Sequence, residues 1–395
     1  MSSNNVPRPT DHAPRLTDDV LLLAADQAQL ADQQRQLNGE VVTALTSAGL
    51  ARHFVPRQWG GKEGSFLALL EDIAVVGEAC TSAAWVAMLW AAHGRFAASL
   101  PEEGQRELWG GSPDVRIAAA LVPPAGRAEP VDGGWRVTGS WACVSGVEQA
   151  AWVLVAAPEA YGDGVRVCAV PGDAVDVEDT WDATGLRGTG SHTAVVRDVF
   201  VPRRRTFPLA ELMRGSDAQE AARCHRVPAH LPGGLMFCAP ALGAARRAVA
   251  VWSEWAAAKG PGGRPNHDSA AVRETLAVAS AQVDAAGLLL ERAARRADTE
   301  PVTEALVAGN RRDAAVAARM LAEAVDRLFR TGGAHIRAGA GELTRLWRDV
   351  HTVASHGVLR LEPVAGAYAS AVLGAEAVDA VVATEARTSA ASRSR

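Results

Sequence analysis

The stretch Gly139-Ser-Trp-Ala-Cys-Val-Ser145-Gly146, with Trp181-Asp-Ala-Thr-Gly-Leu-Arg187-Gly-Thr-Gly-Ser-His192 some forty positions on and Asp198-Val-Phe-Val-Pro202 behind it, decides how this chain is read. Short β-favouring runs surround it at 115–122, 135–138, 152–156, 165–170 and 193–201. Asp132-Gly133-Gly134 and Pro171-Gly172-Asp173 punctuate them with turn chemistry, at the spacing of a small antiparallel sandwich or barrel. Within this block stand an aromatic plate, a small hydroxyl and a glycine-rich turn, the ingredients of a pocket for a flat, hydrogen-bonding ligand.

Outward from the block the periodicity changes. Leu30, Leu37, Val41 and Leu45 recur at intervals of seven and four, one face of a helix. A second helical stretch is expected over 65–100, its alanines, Trp85 and Trp90 implying burial on more than one side. From about Leu235 alanine-rich helical stretches return, broken at 260–265, at Asp298-Thr-Glu-Pro301 and at Gly332-Gly333, as in a bundle. The fold class read from this order is α+β: a helical domain over 18–112, a central antiparallel β-sandwich or barrel over 113–208, and a carboxy-terminal four-helix bundle over 209–387. Residues 1–17 are expected to be a flexible amino terminus and 388–395 a disordered tail.

Composition narrows the function classes. The 395 residues are 48% apolar and 22% charged, with a net charge of −5 and no long basic run, so there is no footprint for a nucleic-acid backbone. Five scattered cysteines without a Cys-x-x-Cys pair suit neither a disulfide framework nor a zinc site and are read as reduced thiols of a cytoplasmic protein. The opening residues lack the apolar core of a secretion signal, and the apolar run 83–92 stops at His93 and Arg95, well short of a membrane span. The glycines of 185–190 follow Gly-x-x-Gly-x-Gly and lie between strands, so they are not a dinucleotide fingerprint, and no other stretch supplies one. A resident nicotinamide site is therefore unsupported.

The element order, with residues 141–146, 185–192, Phe329-Arg-Thr-Gly-Gly333 and Arg345-Leu-Trp-Arg-Asp-Val-His351-Thr-Val-Ala-Ser-His356, resembles the acyl-CoA dehydrogenase superfold. More closely it is similar to that superfold's two-component, flavin-dependent monooxygenases, over about 18–375. The dehydrogenases carry a glutamate base just after the Arg-Asp pair of the last motif. Here that position falls at or beside Gly357, and Glu362 is displaced by more than a helical turn. Dehydrogenation is disfavoured, and His356 stands where the monooxygenase branch has a histidine.

The resemblance implies reduced flavin (FMNH2 or FADH2) delivered by an NAD(P)H-dependent flavin reductase, O2, a C4a-hydroperoxide, and hydroxylation of a small phenolic or polyketide-type aromatic substrate. It also implies a homotetramer. Trp141 is expected to flank the isoalloxazine and Ser145 to donate toward N5 or the peroxide. Arg187, Gly190 and Ser191 are assigned to a phosphate or the pocket rim, and Gly332 and Gly333 to the flavin of a neighbouring subunit. His93 is placed against the substrate and His356 near C4a, either serving as base. Continued as a helix, residues 351 and 356 diverge by about 140°, so they form no metal pair and His351 is read as structural. Structural alternatives stand beside these roles: a core tryptophan at 141, a hydrogen-bonded core histidine at 93, a ligand-free β-turn at 185–191 and a plain helix break at 332–333. Alternative functions are an N-oxygenase acting on an amine or amino sugar, an acyl-CoA dehydrogenase, and a flavin-free binding protein.

Overall fold

The computed structural model describes residues 16–258, 265–332 and 341–374. Gly333, the segment before residue 16 and the tail at 388–395 lie outside the described residues. The observed order is helices, sheets, helices, the mixed architecture expected.

Among the described residues, five α-helices precede the sheets: α1 (Asp18–Gln34), α2 (Gly39–Ser47), α3 (Phe66–Ala79), α4 (Thr81–Ala97) and α5 (Glu102–Trp109). The periodic leucines at 30–45 span two helices instead of one, because Arg35 turns left-handed (φ 60°) and Asn38 caps α2 by accepting the Glu40 N–H. Likewise 65–100 is two helices, broken at Cys80, whose extended backbone (φ −153°, ψ 112°) ends one and starts the next. Every residue of α4 but Phe96 is buried, which explains why its sequence is apolar all round.

The β block is a sandwich of two four-stranded sheets. One has the order β1 (Ile117–Ala120), β4 (Trp152–Pro158), β5 (Val165–Pro171), β8 (Thr206–Pro208); the other has β2 (Arg127–Val131), β3 (Gly134–Val144), β7 (His192–Pro202), β6 (Asp176–Glu178). The pairing is not wholly antiparallel, since β1 runs parallel to β4. Strands β2, β6 and β8 were invisible in the pattern because they are edge strands of three to five residues, too short for alternation to register.

After α6 (Leu209–Arg214) and α7 (Arg223–Arg226) come the bundle helices α8 (His230–Ala257), α9 (Ala270–Thr299), α10 (Glu304–Thr331), α11 (Glu342–Ala354) and α12 (Leu361–Leu373). By length and composition α8 could cross a membrane, but 67% of its apolar window is buried inside the protein, as in a core helix. Asp298, at the end of α9, accepts the Phe66 and Leu67 N–H groups (2.8 and 3.1 Å) and so satisfies orphan donors of α3 from the bundle.

The loop 181–191 joins the three parts. Gly185 lies so close to α11 that a Cβ there would sit 2.2 Å from the Arg348 carbonyl oxygen, which explains the glycine. Arg348 donates to the Thr184 carbonyl and to Asp32 of α1, each at 2.8 Å. Asp349, 2% exposed, accepts the Leu186 N–H at 2.7 Å. Leu186 is itself left-handed (φ 53°), a strained state for a residue with a side chain, and its carbonyl is held by the Trp181 indole (3.1 Å) and the Thr189 hydroxyl (2.8 Å). The Arg-Asp pair of the last motif is thus a clamp on the glycine-rich loop.

Burial pushes the Asp349 carboxyl up to about 6. A carboxyl whose folded-state pKa exceeds its unfolded value binds more protons when folded, so its contribution to stability declines as pH rises from about 4 through 6. Asp349→Asn, which keeps an acceptor for Leu186, is expected to fold and to lack this component when melting temperature is followed against pH. Asp349→Ala leaves a buried N–H unmade and is expected to cost about 1–3 kcal/mol in urea unfolding.

Candidate active site

Ser145 directly follows strand β3 and receives the Trp85 indole N–H from α4 at 3.0 Å. The same indole meets the His356 ring edge-on at 5.7 Å, and His356 stacks on Phe237 of α8 at 4.2 Å, 24° from parallel. Trp85 and Phe237 touch at 5.2 Å. One tryptophan therefore joins Ser145 and His356, residues 211 positions apart, where the β block meets the helices. Ser145, Phe237 and His356 are only half-buried, so the cluster has an accessible side.

The hydroxyls near Ser145 form a directed chain. Thr189 Oγ1 donates to the Leu186 carbonyl (2.8 Å), so in its 2.7 Å contact with Ser191 it accepts. Ser191 then gives its proton to Thr189 and accepts from Ser145 across 2.7 Å. Ser145 has thereby committed its proton, and what it offers a ligand is a lone pair. The expectation that Ser145 donates is corrected here: its direction is set by a carbonyl three links away.

The two histidines are fixed in opposite tautomers. His93 Nδ1 lies 2.8 Å from the Ile117 carbonyl oxygen, which can only accept, so Nδ1 carries the proton and Nε2 keeps a lone pair with no partner among the described residues. Burial holds the His93 pKa down at about 4, so the ring is neutral at pH 7. His356 Nδ1 instead accepts the Val358 N–H (3.4 Å) as cap of a short 3-10 turn, Gly357–Leu359, which leaves Nε2–H to donate. Burial lowers its pKa too. The helix-face reasoning about 351 and 356 does not apply, because α11 ends at Ala354 and His356 lies outside it. His351 bonds back to the Trp347 carbonyl at 2.9 Å and packs on that ring.

Other expected residues fall elsewhere. Trp141 is 2% exposed inside the sandwich, its indole N–H given to the Ala156 carbonyl at 3.0 Å, so it is not brought to the Ser145 cluster; the aromatic plate there is Trp85. Arg187 spends Nε on the Asp32 carbonyl and Nη1 on Asp182 and the Ala183 carbonyl, tying the loop to α1 rather than presenting those donors to a phosphate. Gly190 is left-handed (φ 52°) and starts the turn into β7, and Ser191 belongs to the hydroxyl chain. Gly332 caps α10 through the Leu328 carbonyl. The residues missed are Trp85, known only as a buried tryptophan, and Phe237, which carries no local signal; Thr189 stands inside the quoted glycine-rich turn as one of its two hydroxyls but was given no role of its own.

The donor set suits an isoalloxazine better than a metal: a lone pair on a half-buried hydroxyl, two aromatic rings and an imidazole N–H surround apolar surface. Among the described residues no group of three or more His, Cys, Asp and Glu side chains could hold a metal ion.

Residues 235–361 match the family described as acyl-CoA dehydrogenase, C-terminal domain. The chain is 32% identical over 373 residues to the FADH(2)-dependent resorcinol hydroxylase, oxygenase component, of Rhizobium sp. (strain MTP-10005), covering 87% of this chain and 89% of that one. It is 31% identical over 337 residues to the flavin-dependent monooxygenase, oxygenase subunit HsaA, of Mycobacterium tuberculosis, covering 82% and 85%. Among solved structures, 3-HSA hydroxylase from Rhodococcus sp. RHA1 superposes with a TM-score of 0.85 at 28% identity, covering 90% of this chain and 95% of that one. With this fold, this cluster and relatives of that identity over most of their length, the chain belongs to the oxygenase components of two-component, flavin-dependent monooxygenases, enzymes of the acyl-CoA dehydrogenase fold that work on reduced flavin.

Proposed function

We propose that this oxygenase hydroxylates a small phenolic substrate, with Trp85, Ser145, His356 and His93 forming its reaction site. The observation that carries the reading is the Trp85 indole, which draws a hydroxyl acceptor and an imidazole donor together. The names of the resorcinol and p-hydroxyphenylacetate hydroxylases among the relatives support a phenol. An NAD(P)H-dependent reductase is the partner that supplies the flavin, and FADH2 is the form favoured by the resorcinol relative's stated dependence.

Bound reduced flavin supplies the activation of dioxygen, and the chain's residues bind, orient and move protons around it. Ser145 Oγ, its proton committed to Ser191, would hold reduced flavin by accepting from its N5–H, a donor that oxidised flavin lacks. His356 Nε2–H donates at the face lined by Trp85 and Phe237. His93 Nε2 takes the phenolic proton. A buried imidazole with a pKa near 4 is a poor base for a free phenol, but the phenolate formed beside it stabilises the imidazolium, so proton transfer and activation of the ring coincide.

His93→Gln is expected to lower hydroxylation of a phenol by roughly 10²–10⁴-fold in a reductase-coupled assay, while oxygen is still consumed. The loss should shrink as pH approaches the phenol's own pKa. In the wild type the acid limb due to His93 should appear only near pH 4, because protonation then removes the Nε2 lone pair. Product analysis with a phenol and an amine side by side decides the substrate class, and oxidation of the amine alone would replace this reading with N-oxygenation.

Removing the relay with Thr189→Val and Ser191→Ala frees the Ser145 proton. The preference for reduced over oxidised flavin, measured by anaerobic titration, should then fall by about tenfold, one hydrogen bond's worth. An unchanged preference would dismiss Ser145 as the redox discriminator.

We also propose a homotetramer assembled through the bundle, with Gly332 near a subunit contact. Helix α12 is apolar along nearly its whole length yet buries only Val364, and Leu373 and Val372 are 66% and 58% exposed; Leu288 of α9 is 66% exposed. Light scattering should give four times the 41.3 kDa chain mass, falling on Leu288→Glu with Leu373→Glu.

A further inference from the structure

Helix α8 carries two consecutive glycines, Gly233 and Gly234, near its start. Glycine inside a helix is destabilising relative to alanine, because it loses more backbone freedom on folding, so each position calls for a reason. Gly234 has one in packing: a Cβ there would sit 2.9 Å from the Ala314 Cβ of α10 and 3.8 Å from the Leu359 side chain, in the turn that follows His356. Gly233 has none. It is half-buried, yet a Cβ there would meet nothing within 4 Å.

The open space belongs to the gap between α8 and α4. The two helices run antiparallel, since Trp85 packs on Phe237 at 5.2 Å while Arg95, further along α4, donates to the Val227 carbonyl just before α8 begins. Gly233 is one turn before Phe237 and points within about 40° of it, so it looks onto the stretch of α4 that follows Trp85. Leu89 and His93 follow there, both within about 80° of the Trp85 direction, and Leu89 is 8% exposed. From Trp85 to His93 this wall is about 12 Å long, more than a single ring fills.

The walls are apolar. Residues 85–96, 230–237 and 356–359 include no carboxylate. Arg95 turns its Nε and Nη2 to the 224–227 segment. At the outer end of α8 stands His230, exposed, its pKa lowered by burial and by the charge of Arg311 on α10. We propose that Gly233 is a specificity-determining residue: its missing side chain leaves room between α4 and α8 for an apolar second ring on the phenol, so that a two-ring phenol is preferred to a one-ring phenol. The inference rests on the phenolic reading above and narrows it.

Anaerobic calorimetric titration of the full-length enzyme loaded with FADH2 compares 4-phenylphenol with phenol, and both are then tried as substrates in the reductase-coupled assay. 4-Phenylphenol should bind at least about tenfold more tightly, the lower end of what burying one more ring contributes. Gly233→Leu should remove that advantage while leaving the Kd of phenol within about twofold, the scatter expected of a site it does not touch. The same variant should melt at a higher temperature, because leucine is the better helix former and its Cβ meets nothing, so a lost advantage is not unfolding. Gly233→Ala should also melt higher and keep the advantage. Equal Kd values for the two phenols in the wild type, an advantage retained in Gly233→Leu, or a parallel loss of both phenols there would each overturn the proposal. Binding of both phenols in the expected order without hydroxylation of either would overturn the phenolic reading and leave the role of Gly233 in binding supported.

Discussion

The bond from the Leu186 N–H to the buried carboxylate of Asp349 is the constraint on which the site depends. It fixes a residue in a left-handed conformation that its own side chain disfavours, and the Leu186 carbonyl then faces the Trp181 indole and the Thr189 hydroxyl. From that carbonyl the direction of every hydroxyl as far as Ser145 follows, because each has one proton to give. A helix of the bundle thus sets the polarity of a serine that follows a strand of the β block.

Several neighbouring bonds support this geometry. Arg348 holds Asp32 and the Thr184 carbonyl, and Arg35 of α1 reaches Asp179 and the Trp181 carbonyl. His192 accepts the Thr180 and Trp181 N–H groups (3.2 and 3.3 Å), closing the loop against its own end. Most of these bonds satisfy backbone groups of a segment with no ladder of its own, which is how an irregular loop becomes a rigid wall. Arg187 belongs to the same system, which accounts for a guanidinium in a glycine-rich turn without invoking a phosphate.

Helix α4 presents different chemistry along its length. Trp85 reaches Ser145 and His356, His93 is locked neutral against β1, and Arg95 holds the Cys224 and Val227 carbonyls on the other side. A helix buried on all sides can do this because every face meets a different element. The polar residues it carries are informative for the same reason: each must find a partner or remain exposed to the cost of lacking one.

The layered order of helices, sheets and helices was legible in the sequence because burial imprints a period of two or 3.6 on long elements. The hydroxyl at 145 and the histidines at 93 and 356 were legible as chemistry, since such side chains stand out in apolar or glycine-rich surroundings. Their partners were not. Trp85 and Trp141 are both buried tryptophans, and only the tertiary structure gives one the site and the other the sandwich core. The break at Cys80, the end of α11 before His356 and the proton direction at Ser145 depend on contacts far apart in the chain. Periodicity records which face of an element is buried; what lies across that face, and which way its hydrogen bonds run, is decided when the three parts close on the loop at 181–191.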